Sequence, residues 1–392
     1  MSNSPIRVAF TMISRRMWAG GYNYQRNLFA ALHRYCRGEM TPIVFAGERD
    51  DPIDLETLAQ IPGVETARSA AFDRHRMQVP AALLLGRDQP ALAEFRKRRV
   101  DVVFESARFF GWRLPYPAVA WIPDLQHRRL PQLFSPAARW KREFGFRMQI
   151  ASGRWIMLSS NSALRDCLKF YPNAADRVSV VRFATEASPE LLTANPPEVV
   201  KSYELPQKFF YLPNQFWRHK NHQVVIDALT ILAKRGGIDV VVAVSGGSDA
   251  REPGYFDAIM REVSERGLQK NFHYLGMIPL PHVYALLRAS AALINPSRFE
   301  GWSTTVEEAK SFSVPMILSD LDVHREQAAE AASYFGVDDA DALANQLAKL
   351  ADRPAMVHNL AGNVERRVED FARDFVKAIR SAGGFSSSEP HR

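Results

Sequence analysis

Short apolar runs alternate with segments of helical spacing along this chain, and the alternation occurs twice. In the first half IRVAFTMI reads as a strand. A loop carrying Gly20 and Gly21 follows, and then YNYQRNLFAALHRY repeats its apolar positions every three or four residues, as a helix does. TPIVFAG (strand), ALAEFRKRR (helix), VDVVFES and PAVAWIP (strands) and a long helical stretch over about 136–152 continue the series. WIMLSSNSALRDCLKFY reads as strand, turn and helix, and VSVVRFA as a last strand.

Past residue 184 the pattern breaks. ASPELLTANPPEVVKSYELP is rich in proline and polar residues and reads as a linker over 188–205. The alternation then restarts. KFFYLP, DVVVAVSGG, NFHYLGMI, AALINPS and PMILSD read as strands. HQVVIDALTILAKRG, YFDAIMREVSERG, LPHVYALLRAS, EEAKSFS and DADALANQLAKLA read as the helices between and after them. VERRVEDFARDFVKAI is a final long helix, and the tail over 379–392 reads as disordered. Continuous Val/Ile/Leu strands with intervening helices imply α/β architecture with parallel sheets covered on both faces. The expectation is two doubly wound, Rossmann-like domains, 1–187 and 206–378, with the last helix packing back towards the first. Ligands of such sheets bind beyond the carboxyl ends of the strands, and the cleft between the domains is the expected active site.

Composition narrows this picture. The 392 residues suit two domains at roughly 150 residues each. An apolar content of 46% is enough for full cores. Cys36 and Cys167, far apart, make no disulfide framework and suit a reducing cytoplasm. The N-terminus lacks the basic leader of a signal peptide, and no apolar run approaches the ~18 residues of a membrane span. The net charge of +7 is uneven: residues 1–190 hold 28 Lys and Arg against 18 Asp and Glu. A basic first half points to a polyanionic surface, such as anionic headgroups or a phosphorylated acceptor, or else to solubility charge alone.

Two carboxylates stand out in RFEGWSTTVEEAK (298–310). Glu300 falls at the carboxyl end of the AALINPS strand, and Gly301 follows it with a bend that permits close backbone approach. Trp302, Ser303, Thr304 and Thr305 lead into a helix whose first N–H groups make an anion site. Glu308 lies just inside that helix. Thr305 and Glu308 also fit a capping box, which would give Glu308 a purely local role.

The stretch resembles the E-x7-E signature of retaining glycosyltransferases of family 4, which have the GT-B fold. The following segment, VPMILSDLDVHREQAAEAASYFGVDDADALANQL, resembles that family as well. The resemblance implies that Glu300 bonds donor-sugar hydroxyls, that the turn and helix amides hold the diphosphate, and that Glu308 accepts from ribose hydroxyls. It further implies a basic pair in NQFWRHKNH (214–222). Lys220 matches the family lysine, while the family arginine is replaced by Asn214, with Arg218 as its substitute. Cations there would offset charge building on a departing diphosphate. His219 and His222, without a third ligand, read as capping or packing rather than metal binding.

Further positions follow by the same resemblance. Gly20 and Gly21 would bring backbone amides towards the donor phosphates, although the full G-x-G-x-x-G fingerprint is absent. In WIPDLQHRRLP (121–131) the family's His-Asp-Leu becomes Pro123-Asp124-Leu125, which leaves Asp124 and, in place of the missing histidine, His127 as catalytic candidates. Gly246 in SGG, and Gly276 and Met277 in LGMIP, would cradle the ribose and base. With no D-x-D in the cleft and DDAD (338–341) read as a helix cap, no metal and no cofactor beyond the nucleotide-sugar co-substrate is expected. No G-x-S-x-G or P-loop supports a hydrolase or ATPase.

The expected function is transfer of a hexose or deoxyhexose, mannose-type, from a nucleotide-diphosphate sugar to a glycan or lipid-linked acceptor of surface polysaccharide. The expected place is the cytoplasm, at the inner face of the membrane. A nucleotide-sugar epimerase or hydrolase, or a non-catalytic binder, would fit the same fold. RFFGWRLPYP (108–117) interleaves aromatics and arginines as nucleic-acid binders do, but such residues also pack cores, and nucleic acid is not the expected partner.

Overall fold

The computed structural model describes residues 4–73, 82, 84–106, 108–236, 239–249, 252–351 and 356–385. The chain divides into two compact units, Met1–Ala184 with Glu365–Arg392, and Thr185–Val364. Each is an α/β domain built on one parallel sheet.

In the first unit the strands are β1 (Ile6–Thr11), β2 (Met40–Ala46), β3 (Glu65–Arg68), β4 (Val102–Glu105), β5 (Ala118–Trp121), β6 (Trp155–Leu158) and β7 (Val178–Val180). They lie in the order β3-β2-β1-β4-β5-β6-β7, so the direction of winding reverses between β1 and β4. β4 and β5 are buried along their whole length, as helices on both faces require. Phe10 of β1 packs edge-on against Phe29 at 4.9 Å and lies 5.0 Å from Phe104 of β4. The last helix, Val364–Gly383, completes this core: Phe375 stacks on Phe10 at 6.0 Å, and Phe371 meets Tyr24 edge-on at 5.6 Å.

In the second unit the strands are β8 (Phe210–Leu212), β9 (Val242–Ser245), β10 (Phe272–Gly276), β11 (Leu293–Asn295), β12 (Met316–Ser319) and β13 (Ala332–Phe335). Their order is β10-β9-β8-β11-β12-β13, and the reversal falls between β8 and β11.

Several expectations need correction. Gly20 and Gly21 are not in a loop: both lie in the first turn of the helix Ala19–Tyr35. A Cβ on Gly21 would stand 2.4 Å from the Trp18 ring, which stacks on Trp121 at 5.4 Å, so glycine makes room for an indole. The proline-rich stretch over 188–205 is not a free linker. Asn195 caps a helix at Pro196–Ser202, and Leu191, Val199, Val200 and Leu205 are buried in the second unit. Its prolines occupy helix starts, where they are tolerated. The edge strands β3 and β13 were not foreseen, because their half-exposed, mixed sequences lack an apolar run. Residues 379–383 are helical, and the tail expectation over 386–392 lies outside the described residues. In the 108–117 stretch Arg108 bonds Asp88 at 2.5 Å and faces the Phe72 and Phe110 rings, whereas Trp112 and Arg113 are exposed.

Candidate functional site

The reversal between β8 and β11 leaves two loops side by side at the strands' carboxyl ends, and the candidate chemistry of the second unit gathers there. Lys220 comes from the β8 loop and Glu300 from the β11 loop. The Lys220 ammonium donates to Glu300 Oε1 at 2.6 Å, with the two side chains only 13% and 10% exposed. Ser297 Oγ donates to the same oxygen at 2.7 Å. Burial pushes the Glu300 carboxyl up, but Lys220, with His219 and His324 beyond it, outweighs this and holds it at about 2. Glu300 is therefore an ionised acceptor, pre-aligned by its cation.

Glu308 is the electrostatic opposite. It sits in the second turn of the helix Thr304–Ser311 and makes no hydrogen bond or ion pair among the described residues. Burial without a partner raises it to about 7. The capping-box alternative is not formed. Ser303, not Thr305, is the N-cap, and no side chain caps the helix. The N–H groups of Thr304, Thr305 and Val306 are consequently left to a ligand.

Asn295, the last residue of β11 and fully buried, joins the two loops. Its Nδ2 donates to Ser303 Oγ at 2.9 Å and Thr305 Oγ1 at 3.3 Å. Its Oδ1 accepts from Asn214 Nδ2 at 3.5 Å. Asn214 is thus buried against the neighbouring strand's loop rather than presented as a charge. Gly246 follows β9 with φ +146°, and a Cβ there would lie 2.3 Å from the Asn214 carbonyl oxygen, so only glycine allows this approach. Gly276 takes φ +75° at the end of β10, and the Met277 side chain beyond it is 71% exposed. Gly301 and Trp302 form the bend between Glu300 and Ser303, with Lys310 over the Trp302 ring at 5.9 Å.

Other candidates stand apart from this cluster. Arg218 bonds Glu252, its Nε at 2.9 Å, and lies over Tyr255, so it does not join Lys220 and Glu300. His222 is fully buried, stacked on Phe216 at 4.2 Å, and burial drives it down to about 3. Among the described residues no group of His, Cys, Asp and Glu could hold a metal ion.

In the first unit, Asp124 follows β5, accepts from Arg142 at 3.1 Å, and caps the Gln126 amide at 3.0 Å. His127 does not present its ring to solvent. It is fully buried, with Nε2 3.2 Å from Glu143 and Phe146 packed beside it. Glu143 also accepts from Tyr171 at 2.7 Å and from Arg128. This network holds the His127 ring inside the first unit, beside Glu143 and Phe146.

Four site residues were missed by sequence reasoning: Asn295, Ser297, His324 and Gln327. Asn295 and Ser297 sit at a strand end beside the switch, a signal that was available in AALINPS. His324 is fully buried and bonds the Ser319 carbonyl through Nδ1 at 2.8 Å, and it lies near enough to Glu300 for the two to interact electrostatically. Gln327 reaches Ser303 from 24 residues downstream, a link no local pattern encodes.

Residues 198–367 match the model of glycosyl transferases group 1, a stretch that lies almost wholly within the second unit. The chain is 24% identical over 305 residues to O-antigen chain mannosyltransferase B of Escherichia coli, covering 72% of this chain and 76% of that protein. Its fold is similar to a glycosyltransferase from Rickettsia africae (TM-score 0.66, 14% identity, 96% of this chain and 98% of that one). It is also similar to the Anabaena protein HepE, solved with UDP and glucose (TM-score 0.63, 13% identity, 97% and 95%).

Proposed function

We propose that this protein is a retaining glycosyltransferase. It moves a sugar, a mannose-type hexose or deoxyhexose, from a nucleotide-diphosphate sugar to a glycan or lipid-linked acceptor in surface polysaccharide assembly. The observation that carries the proposal is the convergence of Lys220, Glu300, Glu308 and an uncapped helix start at the switch between β8 and β11. The mannosyltransferase relative, a protein of O-antigen synthesis by its name, supports the choice of sugar and pathway class.

Each group has a stated task. The Thr304–Val306 amides and Lys220 receive the diphosphate, where charge grows as the glycosidic bond breaks. Glu300, ionised, accepts from donor-sugar hydroxyls, and Glu308 accepts from the ribose diol. Met277, Gly246 and Gly276 border the base. The anomeric carbon leaves the diphosphate oxygen through an oxocarbenium-like transition state. The acceptor hydroxyl oxygen bonds to the same face, and its proton passes to the departing diphosphate. Positive charge from Lys220 and the helix amides makes the reaction independent of a metal ion.

The first domain is proposed to receive the acceptor and to touch an anionic membrane surface at the cytoplasmic face. Trp140 and Phe144, stacked at 5.2 Å and exposed by 67% and 37%, lie beside Arg139 and Lys141 on one helix and support that contact. No helix among the described residues is long and apolar enough to cross a membrane.

The test is calorimetry with GDP, UDP, dTDP and ADP, with and without magnesium, followed by transfer from the matching sugar donors. One nucleotide should bind at about micromolar strength, indifferent to EDTA, and the product should keep the donor's anomeric configuration by proton NMR. Glu300→Gln should abolish transfer while the protein stays folded. Inversion at the anomeric carbon, or free sugar as the sole product, would reject the proposal.

A further inference from the structure

The turn that would face the diphosphate is held from outside by one side chain. Gln327 lies on the helix Asp322–Ala328 and is 4% exposed. Its Oε1 accepts from the Ser303 N–H at 3.1 Å, and its Nε2 donates to the Ser303 carbonyl oxygen at 2.7 Å. The same Nε2 donates to Glu307 Oε1 at 3.0 Å, and Glu307 is itself 1% exposed and bonded to Lys310 at 2.8 Å. A single amide thus grips both backbone polar groups of the N-cap residue and the first carboxylate of the helix. Only a primary amide offers one acceptor and two donors in this fork, so neither a carboxylate nor an apolar side chain can replace it.

Holding Ser303 matters because serine is a strong N-cap. Left free, its Oγ would turn onto the Thr305 or Val306 N–H and satisfy the amides that the helix offers to an anion. Here Oγ instead accepts from Asn295, and the backbone that carries it is fixed by Gln327. We propose that Gln327 is a positioning residue for the diphosphate. It fixes Ser303 so that the Thr304–Val306 amides stay uncapped and aimed before the nucleotide arrives. This rests on the donor-site reading above.

The experiment compares the full-length wild type with Gln327→Leu and Gln327→Glu, measuring nucleoside diphosphate affinity by calorimetry and thermal midpoint on the same samples. The Leu variant should bind the nucleotide at least about tenfold more weakly, as expected for losing a buried multi-bond contact. The donor KM should rise with it. The Glu variant keeps the acceptor but sets a carboxylate against the Ser303 carbonyl and Glu307. Its deficit relative to wild type should narrow as the pH falls and that carboxyl gains a proton, whereas the Leu deficit should stay constant. A residue that only supports the fold would lower the thermal midpoint and leave the affinity of the folded protein unchanged. If the Leu variant binds within about twofold of wild type, the proposal is wrong. If the Leu variant does not fold, the Glu variant decides by the same twofold criterion and its pH profile. If wild type itself binds none of the nucleotides, the donor-site reading fails first and the positioning role with it.

Discussion

Two glutamates eight residues apart live in opposite electrostatic conditions. Glu308 rises on folding from 4.5 to about 7. Between those values the native state keeps a proton that the unfolded chain has released, so this group makes stability fall as pH rises from 4.5 to 7. Glu308→Gln should therefore raise the thermal midpoint at pH 8, by an amount worth roughly 1–3 kcal/mol, and change nothing at pH 4. The same variant should weaken nucleotide binding, because a carboxylate acceptor is lost. Glu300 shows the reverse sign. Its folded value of about 2 lies below 4.5, so it adds stability above 4.5 that disappears as pH falls towards 2. Lys220→Met should strip it of its cation, cost roughly 3 kcal/mol at pH 7, and abolish transfer. Thermal melts at pH 8 and pH 4 measure the first effect, and urea unfolding at pH 7 measures the second.

At the scale of elements, the strand-end loops were the legible part. The spacing of Glu300 and Glu308 could be read because it marks a turn and a helix start, whereas Lys220 and Gly246 were reached through the family resemblance. Gly246→Ala tests the close approach made there. A Cβ 2.3 Å from the Asn214 carbonyl oxygen must push the β8 and β9 loops apart. Denaturation should show a loss of about 1–3 kcal/mol, and calorimetry a weaker nucleotide. What escaped the sequence was long-range: the Gln327 fork, the Asn295 bridge, and the Trp18 ring that explains Gly21. The placement of Gly20 and Gly21 in a loop failed because two glycines look like a breaker. Here they open a helix under an indole. The burial of His127 escaped for the opposite reason. A lone histidine near a strand end carries no sign of burial until Glu143, sixteen residues on, is seen to hold it.

Across the whole molecule, the repeated alternation made two parallel-sheet domains readable, and what blurred was the boundary. Prolines in 188–205 suggested a linker, yet those residues pack into the second unit, because proline at a helix start breaks nothing. The last helix belongs to the first unit, where Phe371, Phe375 and Ile379 are each at most 1% exposed. Phe375→Ala should destabilise that unit by about 3–5 kcal/mol. Denaturation should shift the transition of the first unit, and nucleotide affinity, which is proposed for the second, should stay within error.

The return of this helix also bears on how the chain is made. A ribosome delivers the seven strands of the first sheet early, but the residues that close over Phe10 and Phe104 come last. The second unit, whose residues are all contiguous, can complete itself in the meantime. At roughly 5–20 residues per second, the first sheet waits on the order of 10–40 s with the apolar patch around Phe10 and Phe104 incompletely covered. Newborn chains of this protein should therefore depend on a holding chaperone during that interval.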